Sequence, residues 1–101
     1  MTALSDDEIR EALRSGLPDW SHENGAIRKE YVFKGFRAAI AFIDRLAEEA
    51  IAARHHPDLE NHYNKVVVSL TSHDAGGVTE ADLALARAIE AVSEPPEPAG
   101  D

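Results

Sequence analysis

Hydrophobic residues recur along this chain with two different periods, and the period switches several times. Leu4, Ile9 and Leu13 sit at helical spacing behind Ser5 and Glu8. Ser5 can cap the helix, Glu8 completes a capping box, and Leu4 with Ile9 has the spacing of a hydrophobic staple. Gly16 marks its C-terminal stop. Pro18-Asp19-Trp20 leads into a short strand, and Glu23-Asn24-Gly25 reads as a hairpin turn of the Asn-Gly kind. From Ala26 to Phe33 the period is two. Ile27, Lys29, Tyr31 and Phe33 share one face, and Arg28, Glu30 and Val32 share the other. Lys29 is expected near the sheet edge with its stem along the sheet.

The period returns to helical from Lys34 to Arg54. Phe36, Ala39, Ile40, Ile43, Leu46, Ala47, Ala50 and Ala53 form a broad apolar stripe. The helix must stop by His56, because Pro57 disfavours helical geometry in the residue before it. A second hairpin follows, with Asp58 to His62 as one strand, Tyr63-Asn64 as the turn and Lys65 to Ser72 as the other. Val66, Val68 and Leu70 face one way; Val67, Ser69, Thr71 and His73 face the other. Gly76-Gly77 is a flexible turn. Thr79 caps a last helix whose buried stripe is Leu83, Ala86, Ile89 and Val92, with Val78 and Leu83 at staple spacing.

The order α-ββ-α-ββ-α predicts an α+β fold in two layers: a four-stranded antiparallel sheet with helices on one face. The other face is left open. It carries Val67, Ser69 and Thr71 and leads to His73, so a site and a partner could share that side. Residues 1–93 read as a single domain, and 94–101 as a disordered, acidic, Pro-rich tail.

Composition narrows the function. The 101 residues can bury one modest core, and the hydrophobic fraction of 44% is ordinary for a globular protein. There is no cysteine, so no disulfide framework and no thiolate zinc site. The N-terminus has neither the basic nor the apolar part of a signal peptide, and no apolar run approaches a membrane span. A cytoplasmic protein without membrane contact is expected. The net charge of −9 repels phosphate backbones, so direct nucleic-acid binding is not expected.

The chemistry-bearing feature is His55-His56-Pro57, with His73 further along and Asp82 beyond it. Imidazole titrates near pH 6.5, so a cluster of it can give and take protons at neutral pH. Three readings compete. Helix-end histidines can cap carbonyls. They can hold a metal, although nothing like H-E-x-x-H is present. Or they can transfer protons to and from an organic ligand, the reading that the trio favours. Asp82 stands three residues after Thr79, a capping-box position, and that could be its whole role. His22 and His62 have no constellation around them and read as solvated strand residues.

These residues, taken in order, resemble the pterin-4a-carbinolamine dehydratase family. The resemblance runs from Leu4 to Val92. It rests on His55-His56-Pro57, Tyr63, His73 and Asp82 at fitting spacings, on the strand Ile27 to Phe33 with Phe36, and on Trp20. It implies a four-stranded α+β domain that dimerises sheet edge to sheet edge and often forms tetramers through helix packing. It implies dehydration of a 4a-hydroxytetrahydropterin to the quinonoid dihydropterin, which recycles the cofactor of aromatic amino-acid hydroxylases. No metal or organic cofactor is required. His55 and His56 would divide the acid and base roles. His73 would take part in catalysis and orient the pterin, and Asp82 would help to bind it; Trp20 would line the pocket, with a place in the core as the alternative.

Two positions depart from the family pattern. Ile51 stands one turn before His55 where an acid is common, so no carboxylate lies below that histidine on the helix. Arg54 stands where an acid or Asn is common and sets a positive charge beside His55. The fold also serves relatives without catalysis, as dimerisation cofactors for a transcription factor or as assembly chaperones. A protein-binding module is therefore the rival reading.

Overall fold

The computed structural model describes residues 2–93; the tail expected over 94–101 lies outside them. The elements are α1 (Asp6–Gly16), β1 (Ser21–Glu23), β2 (Ala26–Val32), α2 (Phe36–Ala53), β3 (Asp58–His62), β4 (Lys65–Leu70), a 3-10 turn (His73–Ala75) and α3 (Glu80–Val92). The sheet order is β1-β2-β4-β3, every pair antiparallel. The two hairpins are thus joined through their second strands, β2 and β4. Their register runs from Ile27 opposite Leu70 to Val32 opposite Lys65.

Local chemistry sets the element ends. Both capping boxes form, at Ser5/Glu8 and at Thr79/Asp82. Each satisfies two backbone donors that a helix start leaves without partners. Asn24 and Gly25 have φ of 54° and 75°, the paired positive values that suit the twist of a two-residue hairpin.

One face of the sheet carries the core. Ile27, Tyr31, Val66, Val68 and Leu70 are buried there under Phe42 and Leu46 of α2, and Leu83, Leu85, Ala86 and Ile89 of α3. Tyr31 and Phe42 meet with ring centroids 4.8 Å apart. The opposite face presents Arg28, Glu30 and Val32 to solvent, as the alternation predicted. Val67 is the exception on that face. It is buried, and its cross-strand partners are Glu30 and Glu60.

Two expectations are corrected. The buried stripe of α2 is Ala38, Ala39, Phe42, Leu46 and Ala50, whereas Phe36 is 48% exposed and Ala53 is exposed. This helix is apolar on more than one side, so its sequence alone does not select the side that meets the sheet. The helix stops before His56, as Pro57 requires. Arg54 adopts the left-handed conformation (φ 55°), and the His55 N–H reaches back to the Ala50 carbonyl at 3.1 Å, a Schellman closure. A non-glycine residue in that region costs about 1 kcal/mol or more, strain held immediately beside His55.

Lys29 lies just past the end of β1, near the sheet margin as expected, but its side chain turns under α3. Its Nζ is 2.7 Å from Glu90, whose same oxygen accepts from Trp20 Nε1 at 3.2 Å and from the Tyr31 hydroxyl. Burial alone would raise the Glu90 carboxyl, but the hydrogen bonds from Lys29 and Tyr31 and the charge of Lys29 hold it below the ordinary value of 4.5. Burial pushes the Tyr31 hydroxyl well above its ordinary 10.0, and Glu90 adds to the shift. The signs follow. The Glu90 contribution is present above about pH 4.5 and is lost as pH falls through its lower folded value. The Tyr31 contribution is complete below about pH 10 and is lost as pH rises toward its folded value. Tyr31→Phe should therefore lower the denaturation midpoint at neutral pH, and the gap from wild type should close above about pH 10. A gap that stays constant into alkaline solution would contradict this assignment.

Candidate active site

Because Arg54 turns the chain at the end of α2, both histidines stand outside the helix rather than on its last turn. The backbone leaves α2 beside the N-terminus of α3, and this brings His55 against Asp82. The His55 side chain is 20% exposed and Asp82 is fully buried, with His55 Nε2 hydrogen-bonded to Asp82 Oδ1. A carboxylate only accepts, so this contact assigns a hydrogen to His55 Nε2, and in the neutral imidazole Nδ1 is then the acceptor. The other oxygen, Oδ2, accepts from the Thr79 N–H at 2.9 Å and from the Ser72 hydroxyl at 2.8 Å. The capping role foreseen for Asp82 is thus real, and it occupies one oxygen only.

The cleft above this pair has a volume of about 500 Å³ and is lined by His55, His56, Thr71, Ser72, His73, Asp74 and Ala75. His56 is exposed. His73 is exposed on the 3-10 turn, not on the strand face where the alternation placed it. That turn is tightly held. The Ser72 N–H donates to the Gly77 carbonyl at 3.0 Å, and the Ser72 carbonyl accepts from Ala75 and Gly76, each at 3.0 Å, and from Gly77 at 3.2 Å. Gly76 closes the turn at φ 81°, where a side chain would be strained. The Thr71 hydroxyl donates to the Gly25 carbonyl at 2.7 Å and pins this end of β4 to the first hairpin turn.

The structure brings His55, His56 and His73 to one cleft and sets Asp82 beneath it. It does not bring Trp20 there. Trp20 is 4% exposed and bonds Glu90, eight residues beyond Asp82, about 12 Å along α3 at 1.5 Å per residue. Ile51 is 66% exposed, and the carboxylate that His55 does meet comes from another element, as Asp82. Ser72 escaped the sequence reading because an isolated serine before a histidine carries no spacing signal. His62 pairs with Glu60 at 3.1 Å on β3, apart from the cleft lining. A groove of similar size, about 550 Å³, runs along α2 past Phe36, Arg37, Ile40, Ala41 and Asp44 and contains no histidine. Among the described residues, no group of three or more His, Cys, Asp or Glu is placed to hold a metal ion, and no helix is long and apolar enough to cross a membrane.

Comparison with known proteins covers nearly all of the described chain. The family model described as pterin 4 alpha carbinolamine dehydratase matches residues 2–92. A Thermomicrobium roseum protein, provisionally named a pterin-4-alpha-carbinolamine dehydratase, is 49% identical over 86% of this chain and 94% of its own length. A Chloroflexus aurantiacus protein of the same provisional name is 50% identical over 91% of this chain and 98% of its own. Among solved structures, a transcriptional coactivator/pterin dehydratase from Brucella melitensis superposes with a TM-score of 0.86 at 36% identity, covering 92% of this chain and all of that one. A pterin dehydratase-like protein identified as a RuBisCO assembly factor in the alpha-carboxysome superposes at 0.61 over 73% of this chain and 86% of its own. At 23% identity it bears on the fold alone. With the sheet order, the histidine cleft and the match over nearly all described residues in agreement, the chain belongs to the pterin 4 alpha carbinolamine dehydratase family.

Proposed function

We propose that this protein dehydrates a 4a-hydroxytetrahydropterin to the quinonoid dihydropterin in the cytoplasm. The observation that carries the reading is His55, fixed on a buried carboxylate in a cleft shared with two further imidazoles. The substrate bears a hydroxyl and a nitrogen on one carbon. The nitrogen lone pair forms a C=N bond as the C–O bond breaks, the hydroxyl leaves as water after taking a proton, and the nitrogen gives up its own proton. His55 suits the base role: its Nδ1 accepts a proton, and Asp82 stabilises the imidazolium that results. His56, exposed on the cleft wall, exchanges protons with solvent and suits the acid role. His73, held on its own turn across the cleft, orients the ring.

The test is quinonoid dihydropterin formation from chemically made carbinolamine, with and without the protein. A rate unchanged by the protein would sink the proposal. Within it, His73→Ala should raise KM more than it lowers kcat, since a residue that mainly orients the ground state contributes chiefly to binding. A loss confined to kcat would move His73 into the proton-transfer set.

The rival reading, a protein-binding module, draws on exposed apolar residues: Val32 at 62%, Phe36 at 48% and Tyr63 at 61%. It takes over if the dehydratase assay is blank. Either reading is compatible with self-association. Every residue of the edge strand β3 is exposed, and an uncovered edge is a template for a second sheet. We expect a dimer or larger at micromolar concentration, and light scattering that gave the monomer mass would contradict it.

A further inference from the structure

Ser72 occupies a position that the dehydratase reading does not use, and proton counting gives it a direction. A serine hydroxyl has one proton to give. Ser72 gives it to Asp82 Oδ2 at 2.8 Å. Its contact with the Thr79 hydroxyl at 3.0 Å must then run the other way, with Thr79 donating to Ser72. Thr79 Oγ1 in turn accepts from the Ala81 N–H at 3.2 Å, so its oxygen is held by the first turn of α3. The chain is therefore ordered: Thr79 to Ser72, Ser72 to Asp82, and His55 to the other oxygen of Asp82. Every proton in it is committed. With Thr79 and Asp82 buried and Ser72 and His55 partly so, such a network is stiff, because rotating any one member leaves a polar group unpaired.

The same residue holds the opposite wall of the cleft. The Ser72 backbone makes the bonds that close residues 72–77, on which His73 rides. One residue thus joins the turn that carries His73 to the carboxylate that orients His55.

We propose that Ser72 is a positioning residue for His55: its hydroxyl fixes the rotation of the Asp82 carboxylate and thereby the direction in which the imidazole presents Nδ1. This rests on the dehydratase reading for its effect on rate, but not for its effect on the imidazole. Ser72→Ala removes one of two donors to Oδ2 and leaves the Thr79 N–H alone to hold it. Ser72→Thr restores the hydroxyl, and the extended backbone at Ser72 (φ −115°, ψ 95°) suits a β-branched residue.

The test uses the full chain and two readouts. The first is the steady-state rate with carbinolamine. The second is the low-field proton resonance of the His55 Nε2–H, assigned by its loss in His55→Gln and followed for solvent exchange. Ser72→Ala should lower kcat by about tenfold with little change in KM, a fraction of the on the order of 10²–10⁴ that one positioned base supplies. It should also broaden the resonance, and Ser72→Thr should recover both. Wild-type rate and resonance in Ser72→Ala would overturn the proposal. So would a loss of rate with an unaltered resonance, or a Ser72→Thr protein as impaired as Ser72→Ala. If the wild type has no dehydratase activity, the functional reading falls, while the resonance comparison still decides whether Ser72 positions His55.

Discussion

Asp82→Asn is expected to abolish most of the dehydratase activity while the protein stays folded. The change is isosteric, and the surrounding hydrogens dictate how the amide must sit. Two donors, the Thr79 N–H and the Ser72 hydroxyl, converge on Oδ2, so the amide oxygen has to take that place. The amide NH2 then faces His55 Nε2. Two donors cannot share that contact, so His55 must shift its hydrogen to Nδ1 and accept with Nε2. The nitrogen left for the substrate would carry a hydrogen, and the base would be lost. A base in the wrong tautomer costs on the order of 10²–10⁴ in kcat. The α3 cap survives, so the melting temperature should move by only a few degrees, on the scale of about 1 kcal/mol in a domain of this size. Asp82→Ala makes the contrast. It loses the cap and strands the donors of Ser72 and His55, at about 1–3 kcal/mol for each buried group left unpaired. An Asp82→Asn protein with near-wild-type kcat would show that His55 is not the base.

Removing the two adjacent imidazoles should give similar kinetic losses with different structural costs. His55→Ala and His56→Ala should each lower kcat by at least about tenfold, since each deletes a proton-transfer partner. His56 is exposed, so its replacement should leave the melting temperature unchanged. His55→Ala leaves Oδ1 of a fully buried carboxylate without its donor, which costs about 1–3 kcal/mol and several degrees. His55→Gln separates the two effects, because its amide can still donate to Asp82 but cannot act as a base. It should recover stability and not rate. A double His55/His56 substitution that kept full activity would remove the catalytic assignment altogether.

What the sequence by itself determined was the set of elements, because each is written in short-range chemistry. The capping pairs Ser5/Glu8 and Thr79/Asp82, the Asn24-Gly25 turn and the alternation through Ala26–Val32 act between residues a few positions apart. The strand bounds Asp58–His62 were legible for the same reason, and so was the ordered series of His55, His56, His73 and Asp82 that carries the family resemblance. Other features depended on neighbours distant in the chain. α2 is apolar around much of its circumference, and only the sheet selected Phe42 over Phe36 for the core. Trp20 looked available to a ligand until β2 and α3 enclosed it with Glu90 as its partner. No carboxylate lies one turn below His55, where Ile51 stands, and the one that His55 meets comes from α3. Asp82 lies 27 positions from His55 in the chain, and only the packing of two helix ends makes them neighbours. Ser72 joined that site on the same terms, because a hydroxyl acquires direction and purpose only from the donors and acceptors that folding places around it.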